Sequence, residues 1–166
     1  MRTITIALII FITLPTFLFF QNNPARADEA PRVVINEIFW SGSSLSLADE
    51  FIELANTTDE PVDISGWTIA GAATNKNSLI LPVNSTISAL GFFVVANYSP
   101  ANEKSILSAE ADYVSTSISL ANSDAYYALR SPDGATVDAA DDGTGAPFSG
   151  DNENKASMAR RPGCWN

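Results

Sequence analysis

The feature that most constrains this chain is a succession of short β-forming runs, each broken by turn residues after a few positions. In Glu50–Ala55, for example, Phe51, Glu53 and Ala55 fall on one face and the residues between them fall on the other. This alternation with period two is the geometry of a strand. Almost no helical spacing follows the N-terminal segment. The chain is therefore predicted to fold as sheets joined by turns.

The runs predict roughly eight to nine short strands, spaced about every 8–12 residues, which is typical of an all-β sandwich or barrel. Ser131–Gly134 carries Pro and Gly at the positions that favour a hairpin turn. The continuous apolar run Phe92–Ala96 predicts a central strand covered on both faces. A short helical turn near Ile106 is the one helical alternative. The predicted core aromatics are Trp40, Phe51, Trp67, Phe92, Phe93 and Tyr127.

The first 27 residues have the pattern of a signal peptide. Arg2 precedes the uncharged apolar run Ile4–Phe20, and small residues at Ala25 and Ala27 fit a signal peptidase site. We expect cleavage after Ala27, which leaves residues 28–32 as a linker to the folded domain. The alternative is an uncleaved membrane anchor. In both cases Arg2 stays inside and the domain is exported to the cell surface or the medium.

The charge of the chain argues against direct nucleic-acid binding. Without Arg2 and Arg26, seven basic residues face nineteen acidic ones, which gives a net charge of −12. Duplex binding draws most of its non-specific affinity from Lys and Arg side chains on phosphates. Only Arg160 and Arg161 form an adjacent basic pair. An acidic surface instead fits a soluble extracellular protein.

The chain contains no histidine, which excludes Ser-His-Asp triads, Cys-His pairs and imidazole zinc sites. Its single cysteine, Cys164, cannot form a disulfide within the chain. It is free, pairs with another molecule, or has its partner beyond Asn166. We therefore predict no catalytic residue and no cofactor, and we expect a protein that is not an enzyme.

Three segments in register resemble the lamin-tail domain family. They are Val34–Ile38, Asp49–Asn56 and Val62–Ile69, in which an acidic and aromatic strand is followed by a polar turn and a Gly-Trp strand. Later pieces fit the same pattern: Gly91–Val95, Leu120–Asp124 and Ser157–Arg160. The resemblance covers about residues 33–161 and is strongest to bacterial, exported members.

The resemblance implies an immunoglobulin-like β-sandwich over residues 33–161. In animal lamins this domain follows a coiled-coil rod and serves as a docking surface. This chain has neither the rod nor the basic surface, so filament assembly and DNA docking do not carry over. Bacterial members are typically exported, alone or beside nucleases and phosphatases. Because such relatives often continue into a further region, residues 162–166 are interpreted as a tail that is truncated here.

One acidic segment is a candidate calcium site. Asp138, Asp141 and Asp142 precede Gly143 and Gly145, and Asp151 follows. Calcium prefers six to eight oxygens from flexible loops, which Asp and Gly can supply. The spacing is not that of an EF-hand, however, and acidic Gly-rich loops are usually only solvated. Calcium is therefore kept as the less favoured hypothesis.

Two further polar groups are predicted to be structural. The acids of the first strands, Glu37, Glu50 and Glu53, are expected to point into solvent or to bond neighbouring loops rather than to form an acid–base pair. Asn56 is expected to close the turn that follows it rather than to bind a ligand.

These observations favour an exported, non-catalytic binding or structural module. It would recognise a protein or an envelope polymer through its loops or through a sheet edge. The alternative is the accessory domain of an exported hydrolase, a nuclease or phosphatase, whose catalytic part is absent from this chain.

Overall fold

The computed structural model describes residues 31–161. The predicted signal peptide, residues 1–27, most of the linker 28–32 and the predicted tail 162–166 lie outside the described residues. The strands are β1 (Val33–Phe39), β2 (Phe51–Asn56), β3 (Val62–Asp63), β4 (Thr68–Ala73), β5 (Asn77–Ile80), β6 (Thr86–Ile87), β7 (Phe92–Ala96), β8 (Tyr113–Val114), β9 (Tyr127–Arg130), β10 (Thr136–Ala140) and β11 (Met158–Ala159). One 3-10 turn, Thr74–Lys76, lies between β4 and β5. The all-β prediction is confirmed.

Two main sheets pack face to face as an immunoglobulin-like sandwich. The first has the order β11-β1-β2-β7-β8, the second has the order β10-β9-β4-β5, and β3 and β6 form a separate pair. All described pairings are antiparallel except that of β7 with β8. The core lies between the sheets because alternate side chains of each strand point inward. Its largest fully buried members are Tyr127, Ile38, Ile52, Leu54, Ile64, Ile69, Leu81, Ile87, Leu129, Val33 and Val95.

The described residues hold eleven strands where eight to nine were predicted. Four of them, β3, β6, β8 and β11, have only two residues each, which is too short for an alternating pattern to be recognised. Outside these strands, Ile118 forms one isolated antiparallel bridge with Ala73. The predicted helical turn near Ile106 is absent from residues 98–110, which form turns and bends. No helix within residues 31–161 is long and apolar enough to cross a membrane.

The core aromatics were predicted correctly in part. Trp40, Phe93 and Tyr127 are buried, and Phe51 is half-buried beside Phe39, with the two ring centroids 5.2 Å apart. Trp67 is also only half-buried and packs on the edge of the core. Phe92 is 55% exposed, so the prediction of a doubly covered strand is wrong there. Phe93 and Val95 take the inward face of β7, and the pleat turns Phe92 to the other face.

The two ends of the sandwich are held by side chains at opposite ends of β2. At one end, here called the Glu50 end, Asn97 N–H donates to the Glu50 carbonyl, and the 115–126 loop approaches the Glu50 side chain. At the other, here called the Asn56 end, the chain from residue 57 to 61 meets residues 87–91. The predicted hairpin is confirmed, because Gly134 N–H donates to the Ser131 carbonyl at 2.9 Å.

Candidate functional site

A cleft of about 290 Å³ opens on the side of the sandwich where β10 faces β1 and β11. Small-molecule sites usually measure about 300–1,000 Å³, so this cleft has room for one large side chain or a small ligand. Seven of its ten lining residues are apolar, and the polar ones are an amide, a carboxylate and a guanidinium. The lining consists of Ile35, Asn36, Ile38, Ala139, Ala140, Asp141, Phe148, Met158, Ala159 and Arg160.

The cleft exists because the outer edge of β1 is only partly paired. A bulge between Ile35 and Glu37 interrupts the β1–β2 ladder, and β11 pairs with β1 only at Glu37 and Ile38. Beyond this short pairing, the N–H and the carbonyl of Ile35 are bonded to the Asp138 and Arg160 side chains and not to a further strand. The apolar floor of the cleft comes from inward-facing residues of β1, which are fixed by the core.

An ion pair closes the cleft on one side and joins the two sheets. Arg160 Nη2 lies 3.0 and 2.7 Å from the two carboxylate oxygens of Asp138. Asp138 Oδ2 also accepts the Ile35 N–H at 2.7 Å, and Arg160 Nε donates to the Ile35 carbonyl at 3.1 Å. The Arg160–Asp138 pair, here called the clasp, therefore replaces the missing strand partner of Ile35. Both side chains are largely buried, at 20% and 11% exposure, where charge-assisted bonds are strong.

Asp141 lies at the opposite rim and has an unusual environment. Its backbone is in the left-handed region, with φ of 66°. Oδ1 accepts the Asp142 N–H at 2.8 Å. Oδ2 is buried, and no hydrogen-bond donor from residues 31–161 reaches it. A buried acceptor without a donor costs about 1–3 kcal/mol, so such a group calls for an explanation.

The rim loop from residue 141 to 150 is anchored at its far end. Trp40 Nε1 donates to the Ser149 carbonyl at 3.0 Å. A Cβ atom on Gly150 would lie 2.6 Å from that indole nitrogen, so the loop needs glycine there. Directly before this anchor the Phe148 side chain lines the cleft while remaining 67% exposed. The loop thus presents an aromatic ring to solvent at the entrance of the cleft.

The four calcium candidates do not form one site. Asp138 is engaged in the clasp, and Asp141 lies at the rim of the cleft. Asp142 Oδ1 accepts the N–H and the hydroxyl of the residue two positions on. Asp151 accepts the N–H three positions on, and this bond lowers its pKa. No group of three or more acidic or thiol side chains within residues 31–161 is arranged to hold a metal. Calcium binding stays a prediction for experiment.

The acids of the first strands have structural partners. Asn36 Nδ2 donates to Glu53 Oε1 at 2.6 Å, and Ser157 Oγ donates to Glu37. The pKa of Glu53 is raised mainly by burial, against the lowering effect of the Asn36 bond, with a smaller increase from the Glu37 charge. These contacts tie β1 to β2 and to the segment before β11. They do not place two carboxylates on one reacting centre.

Glu50 is buried rather than solvated and holds the 115–126 loop. Its Oε2 accepts the Leu120 N–H at 3.0 Å, which is the loop-bonding role allowed for it. Burial raises the pKa of Glu50 to about 7, although the Leu120 bond acts in the opposite direction. The neighbouring Tyr127 hydroxyl accepts the Ala121 N–H at 3.0 Å, and burial raises its pKa. Neither side chain lines the cleft.

The cleft was missed by sequence reasoning because it is assembled from three distant segments. They are residues 35–38, 139–148 and 158–160. The only signal in the sequence was the tail motif at Ser157–Arg160, which was noticed as a resemblance and not as part of a site. The carboxylate of Asp141 was noticed only as a metal candidate.

The family model described as Lamin Tail Domain matches residues 26–144. The match spans β1 to β10 and includes one wall of the cleft, whereas β11 and Arg160 lie beyond it. No curated protein matches the chain.

Proposed function

Because the chain belongs to the lamin-tail domain family, we propose that it is an exported, non-catalytic binding module that recognises a protein or an envelope polymer. The family is one of immunoglobulin-like domains that are generally non-catalytic. The observation that carries the proposal is the apolar cleft between the sheet edges, bounded by the clasp and by the Asp141 rim.

The chemistry of the cleft supports binding rather than catalysis. General acid–base chemistry needs titratable groups placed around one reacting atom. Among the described lining residues the Arg160 guanidinium is already bound to Asp138, and Asp141 is the one carboxylate. Asn36 donates its amide to Glu53. The absence of histidine from the sequence is consistent with this assignment.

The place of action is proposed from the N-terminal segment and from the charge. The apolar run Ile4–Phe20 and the small residues before Asp28 have the pattern of an export signal. A strongly acidic chain remains soluble outside the cell and does not adhere to nucleic acid. The partners open to such a module are proteins and polymers of the envelope or the medium.

Site-specific crosslinking in the source cell tests this function. A photoreactive amino acid is incorporated at position 139 of the tagged full chain, where Ala139 is exposed and lines the cleft. The control carries the same group at Ala135, which is exposed in the β9–β10 hairpin and does not line the cleft. We expect an adduct with an envelope macromolecule from position 139 only.

Three readouts decide between the outcomes: fractionation of the cell, N-terminal sequencing of the exported chain, and identification of the crosslinked adducts. We expect the N-terminus at Asp28. Retention of the chain in the cytoplasm, or equal adducts from both positions, would contradict the proposal. An adduct with an exported nuclease or phosphatase would instead favour the accessory-domain alternative.

A further inference from the structure

We propose that the cleft binds a large apolar side chain of a partner protein that lies beside a cationic hydrogen-bond donor. This specificity rests on the proposed binding function and assigns to it a ligand chemistry. Two features of the cleft carry it, the apolar walls and the unpartnered carboxylate oxygen of Asp141.

The walls select an apolar group. Ile35 and Ile38 form the floor, and Met158 and the methyl groups of β10 and β11 form the sides. Burial of apolar surface is favourable in proportion to the area removed from water. Phe148 is exposed at the entrance and gains contacts if an aliphatic or aromatic side chain enters.

The charge of the cleft selects a cation. Arg160 is neutralised by Asp138, which it contacts through both carboxylate oxygens. Asp141 is not matched in this way by any described cation, so the lining keeps one uncompensated negative charge. The whole chain adds to this preference with a net charge of −10, since a field of one sign attracts ligands of the opposite sign.

The unpartnered oxygen requires a donor. Oδ1 of Asp141 is occupied by the Asp142 N–H, whereas Oδ2 has no donor from residues 31–161. An ammonium or guanidinium group supplies both the donor and the charge. Access to this buried oxygen needs a small shift of the rim loop. Gly143 and Gly145 lie in that loop with positive φ, and because their N–H groups donate to the Ala125 carbonyl and to Asp124 Oδ1, the shift is confined to the residues around Asp141.

Three small probes of one shape test the charge preference. They are phenethylammonium, 2-phenylethanol and 3-phenylpropanoate, titrated into the purified full chain and followed by ligand-observed saturation-transfer NMR. We expect a Kd of about 1–10 mM for the cation, as is usual for probes of this size. The anion should bind at least about tenfold more weakly, and the alcohol should lie between them.

Matched variants place the binding in the cleft. Ala139→Leu fills the cleft from an exposed position and should abolish binding of all three probes, whereas Ala135→Leu should change nothing. Asp141→Asn removes the charge and should bring the cation to within about twofold of the alcohol. Asp141→Ser gives the same readout if the first variant melts early.

The outcomes separate this inference from the proposed function. Equal binding of cation and anion, or cation binding that survives Ala139→Leu or keeps its preference in both Asp141 variants, would overturn the assignment of ligand chemistry. The crosslinking result at position 139 would still decide whether the domain is a binding module. Probe binding without any crosslinked partner would support the ligand chemistry of the cleft but contradict the proposed function as a binding module.

Discussion

The two ends of β2 are each joined to a neighbouring loop by a polar side chain, but the two side chains differ in charge. At each end a buried polar side chain fixes the neighbouring loop, and both Glu50 and Asn56 are less than 10% exposed. Asn56 Nδ2 donates to the carbonyls of Glu60 and Ser88 at 2.7 and 2.9 Å, and the Ile87 carbonyl at 3.3 Å shares one of its two hydrogens. Its Oδ1 accepts the N–H and the hydroxyl of the residue two positions on. The predicted turn-closing role of Asn56 is therefore confirmed.

At the other end, Glu50 fixes its loop with a carboxyl group. It accepts the Leu120 N–H and is buried deeply enough to raise its pKa to about 7. An amide can both donate and accept, so the Asn56 end is fully bonded in a neutral state. A carboxylate accepts only, and its charge is costly to bury. The comparison predicts that the stability of the Glu50 end depends on pH and that the Asn56 contacts do not.

The largest expected loss of stability comes from a substitution at the Asn56 end. Asn56→Ala leaves the Glu60, Ile87 and Ser88 carbonyls without their donor and should lower the free energy of unfolding by about 3–5 kcal/mol. Urea denaturation measures it. The control is Asn77→Ala, because Asn77 is exposed and its side chain donates one bond to a carbonyl. A loss no greater than that of the control would remove Asn56 as the determinant of this end.

The pH dependence of the Glu50 end comes next. The pKa of Glu50 in the folded state, about 7, lies above the usual glutamate value of 4.5, so the folded state binds the proton more tightly. Stability from this group is therefore present below about pH 4.5 and is lost as the pH rises to about 7, by about 2–3 kcal/mol. Urea denaturation at pH 5 and pH 8 should show this loss in the wild type, and Glu50→Gln should keep only the part due to Glu53, whose pKa is also raised by burial.

Exposed Glu110 provides the matched control for that experiment. Glu110→Gln should leave the pH dependence of the wild type unchanged. The lowered pKa values of Asp63 and Asp133 act at lower pH, where their hydrogen bonds to neighbouring groups are lost on protonation. Asp63 and Asp133 therefore do not change the difference in stability measured between pH 5 and pH 8. An undiminished pH slope in Glu50→Gln would assign the effect to another group.

A substitution in the clasp tests whether a buried ion pair contributes stability that does not depend on pH, as expected for the neutral Asn56 end. Arg160→Lys keeps the charge but cannot bond Asp138 and the Ile35 carbonyl with one planar group. We expect a loss of about 1–2 kcal/mol, equal at pH 5 and pH 8. The control Arg32→Lys should lose less than about 0.5 kcal/mol, because Arg32 is half-exposed and 3.8 Å from Glu60. Equal losses in both variants would contradict a structural role for the clasp.

Calcium should have the smallest effect. The candidate carboxylates Asp138, Asp142 and Asp151 already accept hydrogen bonds within the fold, and Asp141 has one free oxygen. Millimolar calcium is therefore expected to shift the melting temperature by less than about 1 °C. A calorimetric scan with and without the ion measures this. A rise of several degrees would reinstate the calcium hypothesis.

The sequence predicted the fold better than it predicted the site. The first residues of β2 alternate in burial as the sequence pattern predicts, and the Ser131–Gly134 turn has a chemical signature of its own. Two-residue strands such as β11 carry no period, so their existence depends on tertiary pairing. The exposure of Phe92 shows the same limit, because a run of apolar residues does not reveal which of them faces the core.

The site depends on contacts that local patterns cannot encode. Asp138 was noticed as an acid, but its partner Arg160 lies 22 residues away, and the backbone of Ile35, which both contact, lies 103 residues before Asp138. Glu50 was expected in solvent or bonded to a loop, and only the packing of the 115–126 segment decides between these. Contacts between residues distant in sequence therefore determine both the formation of the cleft and the burial of Glu50.

The antiparallel pairing of β1 with β11 has a mechanical consequence. The chain enters the described fold at Val33 and leaves it near Arg160, whose N–H donates to the Asn36 carbonyl on the same strand. Tension applied through both flanking segments would act on one edge of the sheet and peel its hydrogen bonds one after another, rather than shearing them together. A domain tethered in this way would yield first at the β1–β11 seam, which is also a wall of the cleft, so stretching would release whatever is bound there.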